Sequence, residues 1–491
     1  MSTLALTAGY QPGGAPAGAA WHQVVFEAHG QQVVVSAPEW TPEALARLAS
    51  QVRRNAQDVL TGMPVAEVVA AVDRAVARWL DPNDPTRQLA DRVLPVITGF
   101  DPDMVRLGLN AFFKNFRQPQ LWRFLSEDMG DPGLLDGFRP RPKGGWSRVY
   151  GPGLLAHVWA GNVPALPLWS LVCGLLVKAG SVGKVASAEP WFAGAFAQTL
   201  AEVEPRLAGA MAVVYWPRGR TALETTLCRE ADVVMAYGSD EALSAWQQHV
   251  PPGTRFLPHG HKLSLGLVSA SALDARVADG VVRQAALDVA RWDQQGCYAP
   301  QVLYVARGGA VDPHEFAQRL AAQLQALAHK WPRRVLSVHE AAGVAAWRHS
   351  LALAALANAE SLDAGPQVLG DATEPWSVVY NGVATAPGPG PLNRCVVVVA
   401  VDTLADAVPH LGAWGRHLQT VGVAASPEEL VVLAPRLGAA GVTRICALGA
   451  MTAPAPGWHH DGRYSLLDLV RVVDVEASAE SAAEAFAAYR D

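Results

Sequence analysis

Along the first 120 residues the apolar positions alternate at period two and then settle into a helical period. Alternation over 21–27 and 32–36, with His29-Gly30 between, predicts two strands and a tight turn. Thr41-Pro42-Glu43 follows with an N-cap, a proline in the first turn and an early acid, so a helix is expected through Val59. Helical periodicity continues over 63–80, 85–97 and 102–117; in the last, Asp101 is the cap and Val105, Leu109 and Phe112 share a face. Residues 1–20 are rich in Gly, Ala and Pro and are expected to be loose. This helical first third shows no chemistry of its own, and packing explains its residues.

From about residue 148 the pattern becomes strand alternating with helix. Strand-like runs cover 154–159, 182–186, 211–215, 233–236, 264–269 and 302–305, then 378–380, 395–401, 431–433 and 445–448. Helical stretches separate many of them, which predicts α/β architecture with mostly parallel sheets. The Gly/Pro-rich stretches 385–391 and 452–457 are loops within that pattern, and no internal repeat interrupts it.

Length and composition narrow the class. At 491 residues, half of them apolar, about two to four domains are expected. The net charge is −6 and no basic block occurs, so nucleic acid is not an expected partner. Five cysteines lie far apart without a CxxC pair, which points to a reducing compartment rather than a disulfide framework or structural zinc. The start, Met1-Ser2-Thr3-Leu4, is not a signal peptide, and the most apolar stretch, 163–177, is short and broken by proline. A soluble cytoplasmic protein without a membrane segment is expected.

Four segments carry candidate chemistry. In Trp292-Asp293-Gln294-Gln295-Gly296-Cys297-Tyr298-Ala299-Pro300-Gln301, a helix ends near Arg291 and a strand begins near Val302. A cysteine at such a junction, framed by Gly and Pro, is placed for nucleophilic attack; the plainer reading is an inert buried thiol. In His157-Val158-Trp159-Ala160-Gly161-Asn162-Val163-Pro164, Asn162 sits where an oxyanion donor would sit, or merely supports the turn. The strand at 182–186 delivers Lys184 and, three residues on, Ser187, a cation and hydroxyl able to hold a ribose or its phosphate. Strand, glycine turn and helix start at Ala236-Tyr237-Gly238-Ser239-Asp240 offer N–H groups to a pyrophosphate, without the GxGxxG set. Arg218 and Arg220 are either phosphate contacts or surface charges. His259 and His261 form a pair, but no third ligand stands nearby in sequence, so a metal site is not expected.

These segments, in this order, resemble the aldehyde dehydrogenase superfamily over about residues 145–475. They are most similar to its LuxC-type branch, the fatty acyl-CoA reductases that supply long-chain aldehyde to bacterial luciferase. The resemblance rests on the Asn162 block with Ser170-Leu171-Val172-Cys173-Gly174-Leu175-Leu176-Val177-Lys178, and on the Cys297 block. It rests also on Gly449-Ala450-Met451 and His460-Asp461-Gly462-Arg463-Tyr464-Ser465-Leu466-Leu467-Asp468-Leu469-Val470-Arg471.

The resemblance implies an aldehyde dehydrogenase-like α/β fold and an NADPH-dependent reduction of an acyl-CoA or acyl-carrier thioester to aldehyde. Cys297 would accept the acyl group and Asn162 would hold the oxyanion beside the Cys297 N–H. Lys184 and Ser187 would hold the adenosine ribose, and Gly238 and Ser239 the pyrophosphate. Ser187 replaces an acidic residue of many NAD-using relatives; with Arg218 and Arg220 near, NADPH is the expected coenzyme. Oxidising relatives carry a base in Glu-Leu-Gly-Gly-Lys. Here Pro258-His259-Gly260-His261-Lys262 corresponds, with Pro258 in the glutamate's place and His259 or His261 as alternative bases. The proton donor stays open among His157, His259, His261, His459 and His460, and the group that lowers the Cys297 pKa is not named. His460-Asp461 resembles two members of a hydrolase triad, though no GxSxG accompanies it.

The implied division is 1–127 as a mostly helical region partly of the cofactor domain, 128–150 as an oligomerisation segment, and 151–260 as the NADP-binding domain. Residues 261–450 would form the catalytic domain, and 451–491 a returning and oligomerising tail. A homo-oligomer, dimer or tetramer, and an acyl-loading protein partner are implied with it. The alternatives are an oxidising or CoA-acylating aldehyde dehydrogenase, and a cofactor-binding scaffold without turnover.

Overall fold

The computed structural model describes residues 3–357 and 366–488. Met1, Ser2 and the last residues of the tail, 489–491, lie outside the described residues. Two parallel sheets dominate. The first runs in the order Arg255–His259, Val233–Tyr237, Leu154–Val158, Gly180–Val185, Met211–Tyr215. The second runs Gln367–Leu369, Ser377–Asn381, Cys395–Val401, Pro300–Ala306, Leu263–Val268, Leu418–Ala424, Arg444–Ala447, with only the first pair antiparallel. Leu154–Val158, Met211–Tyr215 and Pro300–Ala306 are buried along their whole length, as parallel strands covered on both faces must be.

Two small sheets complete the chain. Arg471–Val475, Trp146–Tyr150 and Arg139–Pro140 pair antiparallel. Trp21–Ala28 and Gln31–Pro38 form the expected hairpin, with His29 and Gly30 both at positive φ. Residues 1–20 depart from expectation, because Thr3–Thr7 adds to that hairpin as a strand parallel to Gln31–Pro38. Residues 431–433 depart too: they lie in the helix Pro427–Ala439, which Ser426 and Glu429 open with a reciprocal capping box. Their β-branched pair gave a strand signal that the cap and the helical period override.

In the first sheet the chain leaves the central strand Leu154–Val158 in one direction, then returns to its other side at Val233–Tyr237. The crevice at that reversal opens at the C-terminal ends of the two strands, where ligands of such sheets bind. The loops lying there are Trp159 to Pro164 and Gly238-Ser239.

The helix Pro102–Phe113 closes one side of the molecule. Thr41 and Asp101 cap their helices as their sequence predicts. Phe113, rather than Phe112, is the buried aromatic of the latter, beside Met104, Val105 and Leu109. Leu107, Gly108, Ala111 and Phe112 turn the other way, toward a cavity.

Candidate active site

A cavity of 720 Å³ lies where the two large sheets meet. The first sheet offers the C-terminal ends of its strands: Asn162, Gly238, Ser239 and His259 line the cavity. The second offers its N-terminal edge: Cys297 precedes Pro300–Ala306, and Gln419 is the second residue of Leu418–Ala424. His460 and Asp461, from a single 3-10 turn, close the polar end. Apolar side chains cover much of the remainder, among them Leu107, Phe112, Val163, Leu166, Trp169 and Trp458.

Cys297 is fixed through its backbone. Ser264, buried in the neighbouring strand, donates its hydroxyl to the Cys297 carbonyl at 2.7 Å and accepts from the Thr420 N–H at 3.2 Å. The preceding residues Trp292, Asp293 and Gln294 all have positive φ, at 53°, 47° and 67°. Leu392, Asn393 and Arg394 form a second left-handed run, at 57°, 58° and 66°. Non-glycine residues are seldom held there, at a cost of about 1 kcal/mol or more each. The two runs lock together. Asn393 N–H donates to the Asp293 carbonyl at 3.1 Å, and the Arg394 guanidinium sits 2.7 Å from the Asp293 carboxylate, both side chains fully buried. Gln294 donates to the carbonyls of Pro300 and Cys395 and accepts from the Cys395 N–H.

Asn162 donates one amide proton to the Gln295 carbonyl at 2.7 Å. That bond orients the amide two residues from Cys297. A primary amide has a second proton to give.

Burial pushes the Cys297 thiol up to about 11, and the Asp461 charge adds to the shift; Gln419 and Lys262 oppose it. Burial also raises Asp461, but the hydrogen bond from His259 and the Lys262 charge help to outweigh it and hold the carboxyl below its usual range. His259 Nδ1 lies 2.9 Å from Asp461 Oδ2, and Gln419 donates to Asp461 Oδ1 at 2.7 Å. The His259 ring stacks on Tyr237 at 4.6 Å and on His460 at 4.5 Å, nearly parallel to both. Burial drives His460 down to about 3, so this ring is neutral.

Among the described residues the pair His259 and His261 does not form a metal-ligating group; instead ligating atoms of His259, His460 and Asp461 lie within 4.8 Å of one another. The ring planes differ by only 9°, so nitrogen lone pairs lying in those planes do not converge. Both Asp461 oxygens are already engaged by His259 and Gln419. We read the group as a hydrogen-bonded dyad with a stacked neighbour.

Pro258 is exposed and does not line the cavity; the next residue of its strand, His259, does. The site therefore presents an imidazole beside the position that the sequence assigned to a missing base. His157 is fully buried, both its ring nitrogens lack a partner, and burial drives it down to about 3. It is a core residue stacked on Trp159. His459 packs edge-on against Tyr464 and does not line the cavity, whereas His261 does.

The remaining predicted residues stand outside the cavity lining. Lys184 ends the strand beside Val158, and Ser187 Oγ lies 3.2 Å from the Tyr215 hydroxyl. Burial pulls Lys184 down to about 8, with Glu224 opposing the shift and Arg218 adding to it. Arg218 and Arg220 are exposed, and their side chains take no hydrogen bond or ion pair among the described residues. Sequence reasoning missed Ser264, Gln419, Glu224 and the Asp293–Arg394 pair, because each acts through a partner distant in the chain.

This architecture is that of the aldehyde dehydrogenases. Aldehyde dehydrogenase 21 of Physcomitrella patens superposes with a TM-score of 0.73 at 13% identity, covering 96% of this chain and 99% of that one. The NADP-dependent glyceraldehyde-3-phosphate dehydrogenase of Bacillus halodurans, solved with NADP, gives 0.69 at 13%, covering 96% and 99%. Within that fold, residues 60–472 match the family described as Acyl-CoA reductase (LuxC), and the chain belongs to it. The long-chain acyl-protein thioester reductase of Aliivibrio fischeri is 28% identical over 404 residues, 81% of this chain and 80% of its own. That of Photorhabdus laumondii is 26% identical over 403 residues, 81% and 79%.

Proposed function

We propose that this enzyme reduces the thioester of a long-chain acyl group, carried on CoA or on a protein, to the aldehyde. Cys297 accepts the acyl group and NADPH is the coenzyme. The observation that carries the reading is the meeting of the Cys297 thiol and the Asn162 amide in one largely apolar cavity of 720 Å³. A cavity of that size suits a small-molecule ligand, and its apolar walls suit an alkyl tail.

Cys297 attacks the thioester carbonyl, the carrier thiol leaves, and a cysteinyl thioester remains. The free Asn162 proton and the Cys297 N–H face the developing oxyanion, a contribution of about 3 kcal/mol per donor. A reduced nicotinamide supplies the hydride that converts the cysteinyl thioester to aldehyde. The residues at the sheet edge fit such a cofactor. Ser239 caps the helix Asp240–Gln247, whose N-terminus meets the strand-reversal crevice and suits a pyrophosphate. Lys184, Ser187, Arg218 and Arg220 gather a hydroxyl and three cations at the next two strand ends, which suits a ribose bearing a 2′-phosphate. Gly238 leaves the backbone there open.

On this reading residues 151–260 bind the cofactor and 261–450 carry the nucleophile. The three-stranded sheet of Arg139–Pro140, Trp146–Tyr150 and Arg471–Val475 joins subunits of a cytoplasmic dimer or tetramer, and a separate protein loads the acyl group.

Incubation with radiolabelled palmitoyl-CoA in the absence of NADPH tests the mechanism. A hydroxylamine-labile label should appear on the protein and be missing from Cys297→Ser. Label retained by that variant removes Cys297 from the chemistry. An aldehyde dehydrogenase making free acid is the second reading, and the imidazole of His259 in the cavity favours it; net acid formed from aldehyde and NADP+ would establish it.

A further inference from the structure

We propose that His259 is the general acid–base of the thioester chemistry, with Asp461 and Gln419 as its positioning residues. This inference rests on the reading of Cys297 as the acyl acceptor. It begins from a mismatch: Cys297, partly buried, opens onto the cavity beside the Asp461 carboxylate, whose charge opposes its ionisation, so a nearby base must take its proton.

The geometry singles out one of the five histidines that the sequence left open. His157 is sealed in the core and His459 lies off the cavity. His460 lines the cavity, but its ring is packed between His259 and Trp458 and burial keeps it neutral. His261 lines it too, yet no carboxylate holds its ring among the described residues. His259 has both requirements. Its Nδ1 is bound to Asp461 Oδ2 at 2.9 Å, which sets Nδ1–H as the donor and frees Nε2 to accept. Nε2 has no protein partner among the described residues.

A chain of contacts ties the dyad to the sulfur. Gln419 donates to Asp461 Oδ1 at 2.7 Å, lines the cavity with Cys297, and opposes the rise of its thiol. Asp461 and Tyr237, which both contact the His259 ring, each act electrostatically on Cys297. The groups that face the imidazole are thus Tyr237, His460 and Asp461, with Lys262 at 3.9 Å from the carboxylate, and Cys297 lines the same cavity. One cavity thus holds the nucleophile, imidazole and orienting carboxylate that a hydrolytic triad needs, drawn from three distant stretches of chain.

The step balances without a further reagent. As the Cys297 sulfur bonds to the acyl carbon, its proton passes to His259 Nε2. When the tetrahedral intermediate collapses, the bond from carbon to the carrier sulfur breaks, and Nε2–H returns the proton to the departing thiol. Asp461 stays ionised and stabilises the transient imidazolium.

Acylation of the full-length enzyme by radiolabelled palmitoyl-CoA without NADPH, followed by rapid quenching from pH 5.5 to 10, tests this. The wild-type rate should rise and then level well below the thiol's own ionisation. His259→Asn should slow acylation by about 10²–10⁴-fold at neutral pH. Its rate should climb about tenfold per pH unit toward the thiol's own ionisation, because only pre-formed thiolate then reacts. Asp461→Asn should slow it by about 10–100-fold with the imidazole limb displaced. A folded His259→Asn protein that acylates at the wild-type rate with the wild-type pH profile overturns the proposal. Should that variant not fold, alkylation of wild-type Cys297 by iodoacetamide decides: a rise that levels well below the thiol value supports His259, and a single rise near the thiol value overturns it. Label that persists in Cys297→Ser sinks the acyl-enzyme reading instead, and leaves a different result from either.

Discussion

Asn162 is the residue whose fixed orientation costs the least to explain and the most to lose. One amide proton is committed to Gln295, so the side chain cannot swing away from the nucleophile loop. Asn162→Ala should lower kcat by about 10²–10³, with KM for acyl-CoA nearly unchanged, since the donor acts on charge that develops only in the transition state. Steady-state kinetics with palmitoyl-CoA check this, and an effect confined to KM contradicts it. Cys297 and Asn162 were legible in the sequence because each lies in a short motif with its own turn residues. The His259–Asp461 contact was not, because its partners are 202 positions apart. Neither residue alone has a signal that distinguishes it from other surface-compatible polar residues. The sequence also placed a proline where the cavity meets a histidine, a displacement of one residue that reverses the face of a strand. On the proposed mechanism, resistance of an acyl-enzyme to water would thus rest on the apolar walls rather than on the want of a base.

At the scale of elements, the site depends on loops that are strained but heavily tied. The two left-handed runs beside Cys297 would relax without the buried Asp293–Arg394 pair. Arg394→Met leaves the Asp293 charge buried and should cost about 3–5 kcal/mol in denaturant unfolding; adding Asp293→Asn should recover part of it. A loss below about 1 kcal/mol would show the loops to be held by other contacts. A second element carries a proton-linked effect. Glu189 is buried, and its Oε1 accepts from the Trp191 and Phe192 N–H groups at the start of the helix Phe192–Val203. Burial raises its carboxyl to about 7 against those hydrogen bonds. A raised folded pKa means that its stabilising contribution is full below the unfolded value near 4.5 and is lost as pH rises through 7. Glu189→Gln keeps the acceptor, so the variant should gain on wild type by about 2–3 kcal/mol at pH 8 and show little gain at pH 4. Denaturation midpoints at the two pH values measure it, and a gap independent of pH refutes the linkage. Most strands of both large sheets were legible because parallel strands buried on two faces read as unbroken apolar runs, whereas the edge strands Arg255–His259 and Gln367–Leu369, only partly buried, were missed. Leu418–Ala424 was missed because Gln419 and Thr420 interrupt that run, and Gln419 belongs to the site.

In the whole molecule, one sheet gives the cavity its C-terminal edge and the other its N-terminal edge, and the helix Pro102–Phe113 supplies a wall. That wall was invisible in the sequence, where an amphipathic helix with Leu107 and Phe112 reads as ordinary packing. Its cavity-facing side decides how much alkyl chain the site can bury. Gly108 is already at its limit, because a Cβ there would stand 2.1 Å from the Trp292 ring, next to the strained run before Cys297. Ala111 has room, and its methyl borders the cavity without contacting the nucleophile loop in any hydrogen bond. Ala111→Phe should therefore shorten the accessible channel while sparing the chemistry. If the new ring excludes about three methylenes, at about 0.8 kcal/mol each, kcat/KM for palmitoyl-CoA falls roughly 60-fold. Hexanoyl-CoA, whose tail ends short of the obstruction, should keep its kcat/KM within about twofold, a smaller change than one methylene contributes. A panel of saturated acyl-CoAs of increasing length, scored by aldehyde formed, reads the whole profile. An equal loss at every length would mean that the ring disturbs Cys297 rather than the tail, and would move the acyl channel away from this helix.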